Sequence, residues 1–312
     1  MTTFADALAA SPDLFARLLP TVYFNKHLAL TPPLRPSSLH RALTGFRTAR
    51  IHIGALQSCA GSAVVRIGHS VVACGITPYL VSTDTDVAAC GTLFTNVDVA
   101  GRRDGMPLAE YVALSRWLFT TANGVGLYEP TDLRVLNPID GSETGLAFAL
   151  QAQIQVFAPT APSQPPQDVV WACLISALAS TMIPRLALAP EDDINFITAA
   201  TAKFSHVGAT KLQLQYDIEN LPWCVNFGIA HPSGLVLADL DGRVEEVSVD
   251  GHIMIIACAP SANDMQDEPK LVAMELSTGL TDITRAQIQQ CISLTQKRAY
   301  ELSAILKTQL QR

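Results

Sequence analysis

The sequence predicts an α+β fold, and three observations support this prediction. Apolar residues alternate with other residues in short runs between positions 46 and 76, a pattern typical of β-strands. Apolar residues recur at helical spacing over 108–123 and again over 282–310. The chain has 312 residues, which is enough to bury a sizeable core. We therefore expect mixed sheets with packed helices, arranged as two similar βα halves.

The first forty residues are expected to form an N-terminal helix and a linker. Leu8, Leu14, Leu18 and Leu19 suit a helical apolar stripe within 1–30, which Pro20 interrupts. The stretch TPPLRPSS at 31–38 contains three prolines and is predicted to be extended. We accordingly divide the chain into residues 1–40 and a main domain, 41–312.

The first part of the main domain is predicted to be a strand meander. Gly61, Gly68 and Gly75 separate its alternating apolar runs, as expected for strands joined by tight turns. A helix is predicted over 108–123 and a further strand over 145–157.

The second part begins with a Pro-rich insertion at 158–167. Asp168 could cap a helix that runs to Thr181, with Pro184 beyond its end. The remaining predictions are an acidic loop at 190–193, strands at 223–230, 234–239 and 252–258, a polar loop at 260–268, a short apolar stretch at 271–276, and a final helix that opens at Thr281 or Asp282 and ends near 310.

The composition favours a protein with partners. Hydrophobic residues make up 49% of the chain and charged residues only 16%, against about a quarter in an average domain. This low charge is consistent with an Ala/Leu/Val-rich globular protein, but it favours a subunit that buries much of its surface against neighbours. The net charge of −7 argues against a generally basic nucleic-acid binder, although a local basic lining stays possible.

The cysteines and the hydrophobic runs indicate in which cellular compartment the protein is expected. The seven cysteines include no CxxC pair, and most lie in apolar runs, which indicates reduced thiols rather than a zinc site or disulfides. The N-terminal residues do not follow the pattern of a secretory signal. The longest mostly apolar run, 171–184, is too short to span a bilayer, so no membrane partner is expected.

Motifs of common enzymes are incomplete. Residues 68–72 read GHSVV, which lacks the final glycine of a nucleophile elbow and favours a hairpin turn. Residues 124–126 read GVG, without the third glycine of a dinucleotide-binding loop, and no GxxxxGK phosphate loop occurs. The histidines are scattered. We therefore expect no cofactor and no metal.

An acidic cluster follows the predicted strand at 234–239. It consists of Asp239, Asp241, Glu245, Glu246 and Asp250. Carboxylates at a strand end could bind a divalent metal or act as acid/base groups. The Asp241-Gly242 pair is also a strong turn signal, and the composition makes an exposed hairpin the favoured interpretation.

Several segments together resemble one family. They are FRTARIHIG (46–54), GSAVVRIGHSVVACGI (61–76), NVDVA (96–100), DVVWACLISALASTMIP (168–184), ADLDGRVEE (238–246) and STGL (277–280) before the final helix. In order and spacing they resemble RNase PH-like proteins, and among these the ring subunits of the eukaryotic RNA exosome, over residues 10–310. The nearest resemblance is to the non-catalytic, human subunit-eight type.

The resemblance implies a role in an assembly. It implies a six-membered ring of RNase PH-like subunits with RNA-binding cap subunits and a catalytic nuclease subunit. The ring would guide single-stranded RNA to that nuclease for 3′–5′ processing and decay, in the nucleus, nucleolus and cytoplasm.

Departures from the family pattern indicate a chain without catalytic activity. The family's Arg-Pro-Asp-Gly-Arg element is reduced here to Arg35-Pro36 followed by two serines. Active members carry two aspartates six residues apart, and the matching positions are Asp239 and Glu245. No phosphate-binding arginine aligns within 101–116. Without a phosphate clamp, phosphorolysis loses positioning and charge stabilisation together.

Three arginines are candidates for RNA contact. Arg66, Arg102 and Arg103 match loop regions that could face an RNA path, although each could equally be solvent-exposed or paired with a neighbour. Two other functions stay open at this point: an active phosphorolytic 3′–5′ exoribonuclease that uses Asp239 and Glu245, and an unrelated small-molecule enzyme of similar architecture.

Overall fold

The computed structural model describes residues 12–37, 41–83, 90–100, 109–136, 143–157, 166–188, 204–259, 270–280 and 282–311. The chain divides into two compact units. The first unit comprises Met1–Thr48, Thr160–Asp168 and Pro222–Leu302. The second unit comprises Ala49–Pro159, Val169–Leu221 and Ser303–Arg312. The division at residue 40 expected from the sequence stays a prediction.

The described chain contains helices and runs of two to four consecutive strands that form mainly antiparallel sheets, which confirms the predicted α+β class. The helices are α1 (Pro12–Leu18), α2 (Pro20–Leu28), α3 (Ala109–Val125), α4 (Gln167–Ala179), α5 (Gly242–Ser248) and α6 (Arg285–Leu310). The strands are β1 (Ala49–Ile53), β2 (Gly61–Ile67), β3 (Ser70–Ser82), β4 (Leu93–Val99), β5 (Arg134–Leu136), β6 (Glu143–Phe157), β7 (Met182–Leu188), β8 (Phe204–Lys211), β9 (Pro222–Ala230), β10 (Val236–Ala238), β11 (Val249–Cys258) and β12 (Leu271–Thr278).

The second unit is built on a six-stranded sheet. Its order is β1-β2-β3-β6-β4, and β5 pairs with β6. Strands β1, β2 and β3 form the predicted antiparallel meander, whereas β4 runs parallel to β6. The period of two is visible in β2, where Ala63, Val65 and Ile67 are buried and Arg66 is exposed.

Helix α4 is apolar on every side because it lies in the core of the second unit. All residues from Val169 to Ala179 are buried. The helix ends near the predicted position, but strand β7 follows at once and pairs with β8. Pro184 therefore lies within a strand of a two-stranded ribbon, where a missing N–H is tolerated at an open edge. The sequence patterns did not predict this ribbon, and the acidic loop at 190–193 lies outside the described residues.

The first unit contains a four-stranded antiparallel sheet of order β10-β9-β11-β12. One apolar cluster joins β9, β10 and β11, including Phe227 and Ile255, with Cys291 of α6. A second cluster brings Phe24 and Leu28 of α2 against Leu237 and its neighbours. The apolar stretch predicted at 271–276 is strand β12, and the final helix begins at Arg285 rather than at Thr281 or Asp282.

Some N-terminal expectations need correction. The predicted helix is two helices, and Pro20 begins the second because its missing N–H costs nothing in a first helical turn. Leu14, Leu18 and Leu19, expected on a buried stripe, are exposed. Leu8 and most of the Pro-rich insertion lie outside the described residues. All seven cysteines are free thiols, as predicted. Among the described residues, no helix combines the length and apolarity needed to cross a membrane.

Gly61 allows a close approach at the start of β2. A Cβ built there would lie 2.1 Å from Thr181 Oγ1 and 2.7 Å from Thr181 Cα, so even a methyl group cannot fit without a shift of the backbone. Gly124, by contrast, lies in α3, and apart from the neighbouring backbone of the helix no atom of the described residues lies within 4 Å of such a Cβ. Gly61 and Gly124 therefore serve as the test and the control position for an added methyl group.

We predict opposite effects of alanine at these two positions. Gly61→Ala should lower the free energy of unfolding by about 1–3 kcal/mol through overpacking. Gly124→Ala should leave it unchanged or raise it by up to ~1 kcal/mol, because alanine favours a helix. Urea denaturation of the three proteins measures this. Equal stability of wild type and Gly61→Ala would contradict the close approach.

Candidate functional site: an arginine–carboxylate network

The candidate site lies in the first unit, where strand β10 ends. Asp239 follows the strand with a φ of 52°, in the left-handed region that aspartate tolerates better than most residues. Its backbone N–H donates to the Asn226 carbonyl at 3.1 Å. Gly242, with a φ of 78°, then begins α5. The turn presents the side chains of Asp239, Asp241 and Glu245 to arginines from residues 35–47.

Arg35 and Glu245 form a fully buried ion pair. Both side chains are 0% exposed. The Arg35 Nε atom donates to Glu245 Oε1 at 3.1 Å, and Nη2 donates to Oε2. The same guanidinium donates to the carbonyl oxygens of Ala238 at 2.8 Å and Asp239 at 3.0 Å. Arg35 thereby ties the end of β10 to helix α5.

Glu245 has further donors. The Ser37 hydroxyl donates to Oε1, and the backbone N–H of Asp241 donates to Oε2 at 3.1 Å. Both carboxylate oxygens are therefore occupied within the protein. A buried charge that receives this many hydrogen bonds is compensated for the water it has lost.

Asp239 is held in the same way by two other arginines. Its side chain is 3% exposed. The Arg47 guanidinium donates to Oδ1 through Nη2 at 2.5 Å and Nε at 2.9 Å, while the Arg47 backbone N–H donates to Oδ2 at 2.6 Å. Arg41 Nη1 donates to Oδ2 at 3.0 Å. Asp241 completes the network with a contact of 3.1 Å to Arg47.

The charges of this network balance. Three guanidinium groups face three carboxylates, and the members are Arg35, Arg41, Arg47, Asp239, Asp241 and Glu245. Burial alone would raise the pKa of Asp239, but the hydrogen bonds and charge of Arg47 outweigh burial and hold that pKa below its ordinary value. Burial likewise lowers the pKa of Arg47, and the bonds to Asp239 more than reverse this. Both partners stay ionised.

Arg298 lies beside the network, and Arg41 is the arginine of the network that makes the fewest hydrogen bonds. Arg298 Nη2 donates to the Arg47 carbonyl at 2.8 Å, and its guanidinium lies 5.1 Å from the centre of the Phe46 ring. Arg41 is satisfied less well: its Nε atom is buried with no hydrogen-bond partner in the described part of the chain. Burial and the neighbouring charge of Arg35 lower the pKa of Arg41.

This geometry leaves the carboxylates little chemistry of their own. Carboxylate oxygens already bonded to guanidinium groups are poor metal ligands and poor proton acceptors. No group of three or more potential metal ligands occurs within the described ranges. The arrangement stabilises a turn and a short helix.

The structure overturns one expectation about the acidic cluster. The favoured interpretation was an exposed hairpin, yet residues 242–248 form helix α5, and Asp239 and Glu245 are buried. The reason is that arginines about 200 positions away compensate the carboxylates, a contact that no local pattern reveals. Asp239 and Glu245 are brought together, as the sequence suggested, but through Arg35, which contacts both residues.

The candidate RNA-binding arginines are only partly described. Arg66 is exposed on β2 in the second unit, and its Nε atom donates to the Gly68 carbonyl at 3.0 Å. Arg102 and Arg103 lie outside the described residues. RNA contact by these three arginines stays a prediction.

Sequence reasoning missed the roles of Arg41, Arg47 and Arg298. A signal was present: in a chain with few charges, arginines recur every six residues at 35, 41 and 47, and five carboxylates cluster within 239–250. Matching these two segments of opposite charge could have suggested their contact.

Comparison with solved structures identifies the fold. No protein-family model matches the chain. A chain of the Archaeoglobus fulgidus exosome with RNA bound to the active site is similar, with 17% identity, a TM-score of 0.61, and coverage of 91% of this chain and 96% of the other. A chain of an archaeal exosome core has 17% identity and a TM-score of 0.62, and the match covers 95% of this chain and 100% of the other. Rice (Oryza sativa) Rrp46 has 11% identity and a TM-score of 0.51, with coverage of 88% of this chain and 99% of the other. The predicted fold of RNase PH-like exosome subunits is confirmed.

We predict that Arg35→Met strongly destabilises the protein. The substitution leaves the buried Glu245 carboxylate without its cation, and the free energy of unfolding should fall by about 3–5 kcal/mol in urea denaturation. Adding Glu245→Leu should recover part of the loss. Lys307→Met is the matched control, because its pair with Glu219 is about half exposed and should be worth less than about 1 kcal/mol. Equal effects at positions 35 and 307 would contradict the buried ion pair.

Acid should remove the stabilisation that comes from Asp239. Its folded pKa lies below the unfolded value of about 3.9. Its contribution is therefore complete at neutral pH and is lost as the pH falls from about 5 through the folded pKa. Asp239→Asn should be less stable than wild type at pH 7, and this difference should shrink towards pH 3. Urea denaturation across this range measures it.

Glu219→Gln is the control for the pH series, since Glu219 forms a half-exposed ion pair with Lys307. Its unfolding curves should follow those of wild type at every pH. A gap between wild type and Asp239→Asn that does not change with pH would contradict the ionised network.

Proposed function

We propose that this chain is a non-catalytic subunit of an RNA exosome ring. It would help to form the channel that guides single-stranded RNA to a nuclease partner for 3′–5′ processing and decay. One observation carries the non-catalytic part: the two positions that match the catalytic aspartates of active relatives, Asp239 and Glu245, are engaged by Arg35 and Arg47. A carboxylate held in this way does not assist a leaving group.

The likeness to exosome chains supports the assembly. One similar chain comes from an archaeal exosome with RNA bound to the active site, and another comes from an archaeal exosome core. The match spans nearly the whole of each compared chain, as expected for a protein that occupies an equivalent place in a ring. The low fraction of charged residues also fits a subunit with much of its surface in interfaces.

We also propose partner subunits and a cellular location for this chain. The partners would be other RNase PH-like subunits in a six-membered ring, RNA-binding cap subunits and a catalytic nuclease, in the nucleus, nucleolus and cytoplasm. Arg66, Arg102 and Arg103 would contact RNA through its phosphates, which carry no sequence information. The net charge of −7 restricts any such contact to a local lining.

Phosphate-dependent degradation of RNA tests this proposal. Purified chain, alone and in the complex recovered with it, is incubated with single-stranded RNA with and without inorganic phosphate, and nucleoside diphosphates are measured. We expect no phosphate-dependent release by the chain alone. Any release by the complex should be the same with wild type and with Asp239→Asn, once both are shown by circular dichroism to be folded.

An active relative with its own phosphate site serves as the positive control. Phosphate-dependent release by the isolated chain that is lost in folded Asp239→Asn would overturn the proposal. That result would identify an active phosphorolytic exoribonuclease.

A further inference from the structure

The four-stranded sheet of the first unit has one covered edge and one open edge. At the covered edge, the three residues of β10 are buried, and the Ala238 N–H donates to the Leu43 carbonyl at 2.9 Å. At the other edge, β12 pairs with β11, and no strand among the described residues pairs with its outer side. An open edge presents a row of main-chain donors and acceptors.

The apolar face of β12 continues the core of the sheet. Leu276, Met274 and Leu271 stand opposite Ile253, Ile255 and Ala257 of β11, which belong to the apolar cluster packed against Cys291 of α6. Yet these three β12 residues are 46%, 38% and 41% exposed. Ala273, Glu275 and Ser277 alternate with them on the opposite face. The strand is thus amphipathic, and its apolar side lacks cover.

The hydrogen bonds between β12 and β11 define which main-chain groups of β12 face β11 and which face the open side. The Gly279 N–H donates to the Asp250 carbonyl at 3.0 Å, so antiparallel alternation directs the main-chain groups of Ser277 and Glu275 towards β11. The N–H and C=O groups of Met274, Leu276 and Thr278 accordingly point to the open side. From Ala273 to Thr278 the register with β11 is regular.

Devices that normally block an open edge are sparse in β12. The strand contains no proline and a single charged residue, Glu275. Its one register irregularity lies near its start, opposite Ile256 and Ala257. Natural sheets usually protect such edges with lysine, proline or a mid-strand bulge. An amphipathic edge with six residues in regular register, Ala273 to Thr278, is suited to receive another strand.

We infer that the open edge of β12 is completed by a β-strand of another subunit in the same assembly. This inference rests on the proposed function, because it takes the partner from the ring. The added strand pairs with the outward groups of Met274, Leu276 and Thr278. It places apolar side chains beside Leu276 and Met274, on the face that α6 packs against, and a basic residue near Glu275 on the other face.

Other classes of partner fit this edge poorly. RNA would meet Glu275 in a chain of net charge −7, and the edge offers no exposed aromatic ring for base stacking. A lipid surface would leave the outward N–H and C=O groups without hydrogen-bond partners. A strand satisfies both the main-chain groups and the apolar side chains.

Two substitutions at one position test the inference. Leu276→Pro removes an outward N–H and leaves the bonds to β11, because proline is tolerated at such edge positions. Leu276→Val keeps the N–H and an apolar side chain, and it favours a strand. Each protein is tagged, co-expressed with the other ring subunits and recovered, and the affinity for those subunits is measured. We expect Leu276→Pro to bind at least about tenfold more weakly, and Leu276→Val to stay close to wild type.

Hydrogen exchange gives a readout without any substitution. The amides of Met274, Leu276 and Thr278 should exchange quickly in the isolated chain and become protected in the complex, whereas that of Glu275 should be protected in both. This measurement decides the inference even if Leu276→Pro does not fold. Unaltered binding by folded Leu276→Pro, or outward amides that stay unprotected in the complex, would overturn it.

The outcomes separate this inference from the proposed function. Wild type that recovers no RNase PH-like subunit would count against the proposed function itself. Wild type and Leu276→Pro that recover such subunits equally would count against the edge alone. Dimers of the isolated wild-type chain that Leu276→Pro abolishes would assign the edge to a second copy of this chain, and would overturn the assignment to a different subunit.

Discussion

The buried ion pair between Arg35 and Glu245 is the constraint on which the rest of the first unit depends. Taking two charges out of water costs several kcal/mol for each ion, and only a nearly complete set of hydrogen bonds offsets that cost. Here the set includes two carbonyl oxygens at the end of β10, the Ser37 hydroxyl and a backbone N–H at the start of α5. A shift of any one of these elements would leave a buried charge uncompensated. The pair therefore holds the turn after β10 in place, because breaking it would leave a buried charge without its partner.

The same pair shows how one fold can serve different purposes. Carboxylates at a strand end are suited to catalysis when they face solvent, a metal or a substrate, and to structure when arginines occupy their oxygen atoms. In this protein the second arrangement is observed for both Asp239 and Glu245. Fold likeness to exosome chains therefore does not decide activity, since function resides in the site rather than in the fold.

Much of the fold was predictable because its signals are local. The alternation in 46–76 predicted the meander, because side-chain periodicity reflects burial. The helix after Asp168 was predicted from its end signals, a possible cap at Asp168 and Pro184 beyond its end. The ribbon of β7 and β8 was missed: Pro184 was expected only beyond the end of a helix, and it lies within β7. Of the candidate site, only the carboxylates were predicted from the sequence. Its other half, Arg41 and Arg47, lies nearly 200 residues away, where no short-range pattern could connect the two.

The division of the chain into units has a consequence for synthesis. Most of the second unit, Ala49–Pro159 and Val169–Leu221, lies in the sequence between the two longer segments of the first unit, Met1–Thr48 and Pro222–Leu302. Arg35 and its partner Glu245 are 210 positions apart. At about 5–20 residues per second, the arginine segment waits on the order of 10–40 s for its carboxylates to leave the ribosome. During that interval the second unit can fold around its own sheet, and the early arginines remain available to any anionic surface nearby.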